Sequence, residues 1–360
     1  MTLRTTNTRE PSPHRRLAII TAISVGAAIF VGARLSDLTG AVGMVGTLRP
    51  APLVAAVALS VVAVVNRGAM SRAAHRAVGL QADLASMTRV SAAAYALNKV
   101  VKTGGIGGIA LFVRHGESRR HPAGQVTAAY AVASLAAQLA LLGIVFLAVG
   151  AMALTGDLSG AWLVVTAVIA LLAGIALTAI VFAVRDRETV RRLHDLPFRA
   201  ATRVAGWLGR SGASPNVDHA DCFYDAAATL RRRPLAALPV LAHAVAGKLL
   251  GAAVLVASLA STGATIGLAK AFIVYVLALI ASLIGIIPGG LGVVEASTGA
   301  LLAGYGIHST VAVAAVLTFR LLDLWLPLLI GLAASRALKA RPSPESDLVG
   351  NRPGPAHMLA

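Results

Sequence analysis

The sequence predicts an all-α fold, a polytopic bundle of transmembrane helices, and three observations carry that expectation. Of its 360 residues 57% are hydrophobic and only 13% charged, with a mean hydropathy of +0.78. Soluble domains carry roughly 25% charged residues, so this chain lacks the polar side chains that a water-exposed surface needs. The apolar residues come in long runs, several close to the roughly 20 residues that cross a bilayer as a helix. The basic residues gather in the short segments between those runs. A water-soluble enzyme is excluded. The balance of 32 Lys and Arg against 15 Asp and Glu leaves a net charge of +17. Basic loops that orient a membrane protein and meet anionic headgroups explain that excess, and nucleic acid is not expected as a partner. Cys222 is the sole cysteine, which removes disulfides and cysteine metal centres, and no cofactor is expected.

Residues 1–16 read as a cytoplasmic tail ending in Arg15 and Arg16, ahead of a first apolar run from Leu17 to Ala33. That run is long for a cleaved signal and just long enough to cross, so it is expected to be a first span with its N-terminus in the cytoplasm. Further runs follow at about 51–65, 91–113, 123–150, 161–184, 235–260, 270–287, 289–305 and 309–335. Sorting the intervening segments by positive charge gives a sharp division. Residues 66–90, 114–122 and 185–233 are rich in Arg and belong inside, as does the tail after Arg336. The segments 151–160 and 261–268 contain no Lys or Arg and belong outside. The cell membrane, with both termini cytoplasmic, is the expected location.

The segments on both sides of 91–113 are basic, and a single span would put them on opposite sides. The run is interrupted by Lys102-Thr103-Gly104-Gly105-Ile106-Gly107-Gly108, where each Gly costs a helix about 1 kcal/mol. A re-entrant hairpin entering from the cytoplasm resolves the conflict, with one kinked span as the alternative. Such backbone is tolerated only where protein or a wet cavity surrounds it. A second break, Pro288-Gly289-Gly290-Leu291-Gly292, stops the helix ending near Ile287 and lets another begin at about Leu291. It is approached from outside. Gly-Gly-Ile-Gly at 104–107 and Gly-Gly-Leu-Gly at 289–292 are a weak echo, but in segments of opposite orientation they form the pattern of inverted-topology repeats. The apolar runs around the breaks differ in length, so the symmetry is expected to be approximate.

Residues 185–233 interleave Arg with Leu, Phe and Trp and are expected to form two amphipathic helices on the inner leaflet, the second over 217–232 after Ser214-Pro215-Asn216. An ordinary solvated loop is the alternative. Residues 71–88 are expected to form another interfacial helix, and the Pro-rich tail over 339–360 to be disordered. The domain expected to span the membrane is 17–338.

Ionisable side chains inside spans are expensive and therefore candidates for function. They are Lys99 and Lys102, with Asn98, in the first broken segment, His243 and Lys248 in the 235–260 run, Glu295 after the second break, and Arg320 with Asp323 in the last run. Arg320 and Asp323 lie three apart and can pair on one helix face, whereas Glu295 needs a partner from another helix. Half-helices starting near Gly107 and Leu291 would aim backbone N–H groups and a positive dipole end at the midplane, with Thr103 placed to cap one of them. With Lys102, Lys248 and Arg320 nearby, that arrangement suits a lipid phosphate. Glu295 is then expected to pair with a cationic headgroup or to carry a proton.

The stretch 286–307, IIPGGLGVVEASTGALLAGYGI, followed by TFRLLDLWLPLLIG at 318–331, resembles the C-terminal signature of the lysylphosphatidylglycerol synthetase transmembrane region family of flippase-like membrane proteins. YALNKVVKTGGIGG at 95–108 with LFVRHGES at 111–118 is similar to an earlier motif of that family, and the resemblance covers about residues 15–338. It points to Asn98, Gly104, Gly107, Pro288, Gly289, Gly290, Gly292, Glu295 and Arg320 as site residues. Where the family commonly has Pro and a Gly-Glu pair in the first half, this chain has Lys102-Thr103 and Gly107-Gly108.

The resemblance implies movement of a polar-headed lipid, typified by aminoacylated phosphatidylglycerol, between leaflets. Anionic membrane lipids and a separate lipid-modifying enzyme are the expected partners. No aminoacyl-transferase domain follows the last span, so a transporter rather than an enzyme is expected. A small-anion transporter and a non-catalytic scaffold for a lipid- or glycan-modifying enzyme are the alternatives, and a membrane glycosyltransferase finds only Asp37 and Asp157 in the outward loops. No GxxxxGK[ST] loop is present for ATP.

Overall fold

A computed structural model describes residues 46, 48–100, 105–155, 217–284 and 290–339. The first apolar run, the 161–184 run, the first amphipathic segment after 185, Lys102, Thr103, Gly104, Pro288, Gly289 and the tail beyond 339 lie outside the described residues. Among those described there is no strand, and the chain is an all-α polytopic membrane protein.

The helices fall into two runs of the same form. In the first, α1 (Pro50–Ala77), α2 (Leu84–Val100), α3 (Ile106–Glu117) and α4 (Ala123–Thr155) are long, short, short and long. After α5 (Val217–Arg232) and one 3₁₀ turn, the second run repeats the pattern. It comprises α6 (Leu238–Ser261), α7 (Leu268–Ile284), α8 (Val293–Gly304) and a last rod made of α9 (Ser309–Arg320), a π turn (Leu321–Trp325) and α10 (Leu326–Lys339). The four long elements, Pro50–Ala77, Ala123–Leu154, Pro234–Ser261 and Ser309–Ala337, are apolar and long enough to cross a membrane.

The short pairs match in length: 17 and 12 residues for α2 and α3, and 17 and 12 for α7 and α8. The two halves are thus more alike than the apolar runs promised. At 1.5 Å per residue a 12-residue helix is about 18 Å long and cannot cross the roughly 30 Å hydrocarbon layer. Each pair packs on itself, α2 on α3 and α7 on α8, as a hairpin does.

The halves interlock. The leading rods α1 and α6 pack against each other, α2 of the first hairpin packs on α10 of the second half, and α7 of the second hairpin packs on α4 of the first. Leu141, Ile144 and Val145 of α4 close against Val276 and Ile280 of α7. Where α10 meets α2 the approach is so tight that a Cβ on Gly331 would run into the Ala92 carbonyl. Much of the interior is alanine, including Ala92, Ala93, Ala94 and Ala96 on α2. Large apolar side chains such as Val54, Phe146, Leu147 and Leu329 face outward, as a lipid-solvated surface allows.

Two expectations need correcting. Residues 71–88 do not form a separate interfacial helix, because α1 continues to Ala77 and α2 starts at Leu84, both through buried positions such as Ala74 and Met87. The apolar count stopped α1 near residue 65 because Arg67, Arg72 and Arg76 follow, yet the helix continues through all three, with Arg67 and Arg72 half-buried and Arg76 exposed. The second helix after the Pro-Gly break starts at Val293 rather than Leu291, since Gly290 and Gly292 hold positive φ. The expected helix at 217–232 is α5.

The mouth of the first hairpin is pinned by polar contacts. Asp83 caps α2, accepting the Ser86 N–H at 2.9 Å on one carboxylate oxygen and Arg119 Nη1 at 3.1 Å on the other. Ser86 Oγ lies 2.7 Å from Nε2 of His115 near the end of α3. The Ser86 amide, with the Arg119 hydrogen bond and charge, holds the Asp83 carboxyl below the ordinary carboxylate range. A depressed folded-state pKa means that its stabilisation is present above about pH 4 and fades as pH falls through the folded value.

Two predictions follow from these contacts. Asp83→Ala is expected to cost about 1 kcal/mol, the usual worth of an N-cap, while Asp83→Asn keeps most of it because the exposed Arg119 pair adds little. Detergent unfolding at neutral and acid pH reads both, and the wild-type advantage should shrink at the acid end. In a Cys222→Ser background, Gln81→Cys and Ser118→Cys should react with an impermeant thiol reagent on one side of a sealed vesicle, and Thr265→Cys and His308→Cys on the other. Opposite-side labelling at 81 and 118 would eliminate the first hairpin.

Candidate functional site

At the second break, α8 begins with Gly292 at φ 87° and carries Glu295 in its first turn. The Gly292 N–H donates to Oε2 of Glu295 at 2.6 Å, so the side chain turns back to cap its own helix. Its other oxygen, Oε1, accepts from Nε of Arg320 at 2.6 Å. The partner predicted to come from another helix is therefore Arg320 at the end of α9, whose side chain is 5% exposed. A charge pair this dry is stable only because both charges are hydrogen bonded. Gly290, at φ 68°, lies so close to α7 that a Cβ would stand 2.9 Å from the Ser282 Cα. Both oxygens of Glu295 are thus engaged within the protein, where a cationic headgroup was the expected partner of this carboxylate.

Immediately after Arg320 the helix widens into the π turn, which holds Asp323. Such a turn leaves carbonyls without their usual helical donors. Ser60 of α1 donates to the Leu322 carbonyl, and Tyr95 of α2 donates to the Asp323 carbonyl at 3.0 Å. The half-buried Asp323 follows Arg320 by three residues, its own carbonyl fixed to α2 through Tyr95 and the neighbouring Leu322 carbonyl to α1 through Ser60.

The first break is held in a parallel way. Gly105, at φ 94°, caps α3, and the Gly108 N–H donates to Oδ1 of Asn98 at 3.0 Å. Asn98 Nδ2 donates to the Tyr130 hydroxyl at 3.2 Å, and that hydroxyl reaches the Gly105 carbonyl at 3.4 Å. A Cβ on Gly108 would stand 2.6 Å from Asn98 Nδ2 and 2.7 Å from the Tyr130 hydroxyl, so only glycine admits this clasp. Gly107 sits half-buried on the first turn of α3. The N–H groups expected to face a ligand at the two half-helix starts are thus partly consumed, Gly108 by Asn98 and Gly292 by Glu295.

Between these breaks lies a cavity of about 320 Å³, lined from α1, α2, α3, α4 and α7. Asn98 and Tyr130 bring the first break to its wall, and Ser282 brings the second. Arg67 and Lys99 supply positive charge, Ser71, Ser91, Ser134 and His75 supply hydroxyl and imidazole groups, and Tyr95 lies between the two cations. The Arg67 guanidinium carbon is 4.1 Å and the Lys99 ammonium 5.5 Å from the Tyr95 ring centre, both in cation–π range. Lys248 on α6 is half-buried and lies outside the cavity lining.

Of the predicted residues, the structure brings Asn98 and Lys99 to the cavity wall, places Gly290, Gly292, Glu295 and Arg320 at the second break, and sets Asp323 on the π turn beyond Arg320. Arg67, Tyr95, Tyr130 and the three serines were not anticipated. Arg67 was counted among loop cations because it stands next to a run of basic residues, although 17 residues of apolar helix precede it within α1. Tyr95 sits three residues before Asn98 in the Tyr-Ala-Leu-Asn-Lys stretch, and that i, i+3 spacing was its available signal.

The profile of the family described as Lysylphosphatidylglycerol synthase TM region matches residues 17–331, most of the chain. Among curated proteins none matches it.

Removing one member of the buried pair should be costly. Glu295→Ala is expected to destabilise the protein by about 3–5 kcal/mol, and Glu295→Gln by less, since Gln still accepts from Gly292. The double variant Glu295→Ala with Arg320→Met should recover part of the loss, as a double-mutant cycle on detergent unfolding would read. Additive losses would show that the pair is not coupled.

Proposed function

This chain belongs to the Lysylphosphatidylglycerol synthase TM region family, and from that premise we propose that it is a flippase-like lipid translocase. It moves a polar-headed lipid, an anionic or aminoacylated phospholipid or a lipid-linked group, between leaflets. It does so as a transporter rather than a transferase, in the cell membrane, with its termini in the cytoplasm and a separate lipid-modifying enzyme as its functional partner.

One observation carries this reading. Two re-entrant-length hairpins, built alike and set in opposite halves, border one cavity that carries two cations and several hydroxyls on an otherwise apolar wall, the first through Asn98 and Lys99 and the second through Ser282, inside a bundle whose outer faces are apolar. A lipid needs those two solvents at once, a polar chamber for its headgroup and hydrocarbon for its chains. Broken helices paired about a pseudo-two-fold axis also allow one half to rock against the other around a fixed site. The tight caps at Asn98 and Glu295 keep each hairpin rigid during such a motion. The basic loops draw anionic lipid to the inner surface at about 1 kcal/mol per Lys or Arg near the membrane.

The test is leaflet exchange in vesicles holding labelled phosphatidylglycerol and lysyl-phosphatidylglycerol. Wild type should accelerate exchange over empty vesicles, and Glu295→Gln and Arg320→Ala should reduce it by about tenfold or more if the second hairpin must hold its shape. Exchange that survives both substitutions would detach activity from this break, and no exchange of any lipid would remove the translocase reading.

A further inference from the structure

The cavity wall differs from the rest of the interior in its charge. Arg67 and Lys99 both face it, and no carboxylate is among its described lining residues. The acids near at hand are engaged or set aside: Glu295 is bound to Arg320 and Gly292, and Asp323 lies outside the lining. The Nη1 atom of Arg67 is buried and has no hydrogen-bond partner among the described residues. A charged donor buried in this condition is costly, and an acceptor brought by a ligand, an ion or water would relieve that cost. The rest of the guanidinium is oriented by stacking on Tyr95. Ser71, Ser91 and Asn98 share the same wall, where the Ser71 hydroxyl and the second amide hydrogen of Asn98 remain to donate to oxygen. Ser91 and Ser71 are themselves linked at 2.8 Å.

We propose that this cavity is an oxyanion site, in which Arg67 and Lys99 clamp a phosphate group, and that it selects a headgroup with no cationic amine beside that phosphate. An aminoacyl ammonium placed there would meet Arg67 and Lys99 as like charges with no acid on the described wall to receive it. The substrate class of this chain is accordingly an anionic phospholipid rather than an aminoacylated one. The lipid as source of the phosphate rests on the translocase reading; the oxyanion site itself does not.

The experiment is titration calorimetry on the full chain in uncharged detergent, using dihexanoyl phosphatidylglycerol, dihexanoyl lysyl-phosphatidylglycerol and inorganic phosphate below their aggregation limits. Phosphatidylglycerol is expected to bind, lysyl-phosphatidylglycerol about tenfold more weakly, and Arg67→Gln to weaken phosphatidylglycerol by about tenfold, the worth of a charge-assisted hydrogen bond. Arg67→Lys, which keeps the charge, should fall between them and separates binding from folding. Lys270→Gln removes an equal charge beside Tyr305, away from the cavity, and should bind as wild type does. Equal affinity for the two lipids overturns the selectivity. Binding unchanged in both Arg67→Gln and Lys99→Gln overturns the site. Phosphate bound while neither lipid is bound overturns the lipid as source. Leaflet exchange run alongside separates the two readings: binding without exchange by wild type keeps the site and removes the translocase, and exchange with Arg67-independent binding does the reverse.

Discussion

A backbone broken inside hydrocarbon must find new partners for the hydrogen bonds it gives up, and this constraint accounts for the polar side chains that gather at the breaks of this protein. Hydrocarbon offers no water to an orphaned N–H or C=O, and each one left unpaired costs several kcal/mol. The chain breaks its helices at two glycine segments and loosens a third at the π turn. At each place a side chain supplies what the helix lost: Asn98 for α3, Glu295 for α8, Ser60 and Tyr95 for the Leu322 and Asp323 carbonyls. These residues are placed by backbone need first, and the cavity between them is what their placement leaves open.

The two solutions are similar in form and different in charge. The first hairpin uses a neutral amide steadied by a phenol, Asn98 with Tyr130, and the second a carboxylate steadied by a guanidinium, Glu295 with Arg320. A carboxylate at a helix start also benefits from the dipole, but it needs the cation to offset its burial. The second break is therefore the more expensive of the two to bury. The bond between α1 and α6 has the same local character: Asn66 donates to the His243 carbonyl at 2.8 Å and its own oxygen lies 2.8 Å from His243 Nδ1. It fastens the leading rods of the two halves where they cross.

Much of the architecture was legible in composition and charge. The apolar runs located the long rods, and the conflict between basic flanks at 91–113 revealed a hairpin before any helix length was known. The sequence also showed that Glu295 needed a distant partner. What it concealed was spatial. Arginine next to a basic stretch looks like a loop residue whether it faces water or a cavity, and only the continuation of α1 to Ala77 distinguishes the two. Serine and tyrosine in an apolar helix carry no signal of their own, so the cavity wall stayed hidden. The likeness of the halves was blurred because apolar runs merge or shorten across glycine, whereas helix lengths of 17 and 12 residues repeat.

The π turn between α9 and α10 also has a bearing on phase. An α-helix advances about 100° per residue, so one residue accommodated as a π turn rotates everything after it by that angle relative to everything before. Arg320 lies just before the turn and Gly331 after it; the first faces α8 and the second faces α2. The extra residue lets a single rod present one face to its own hairpin and another to the hairpin of the opposite half. Losing one codon there would leave every side chain in place along the sequence while turning the rod's two ends out of register, so chain length at this point is itself a determinant of how the halves mesh.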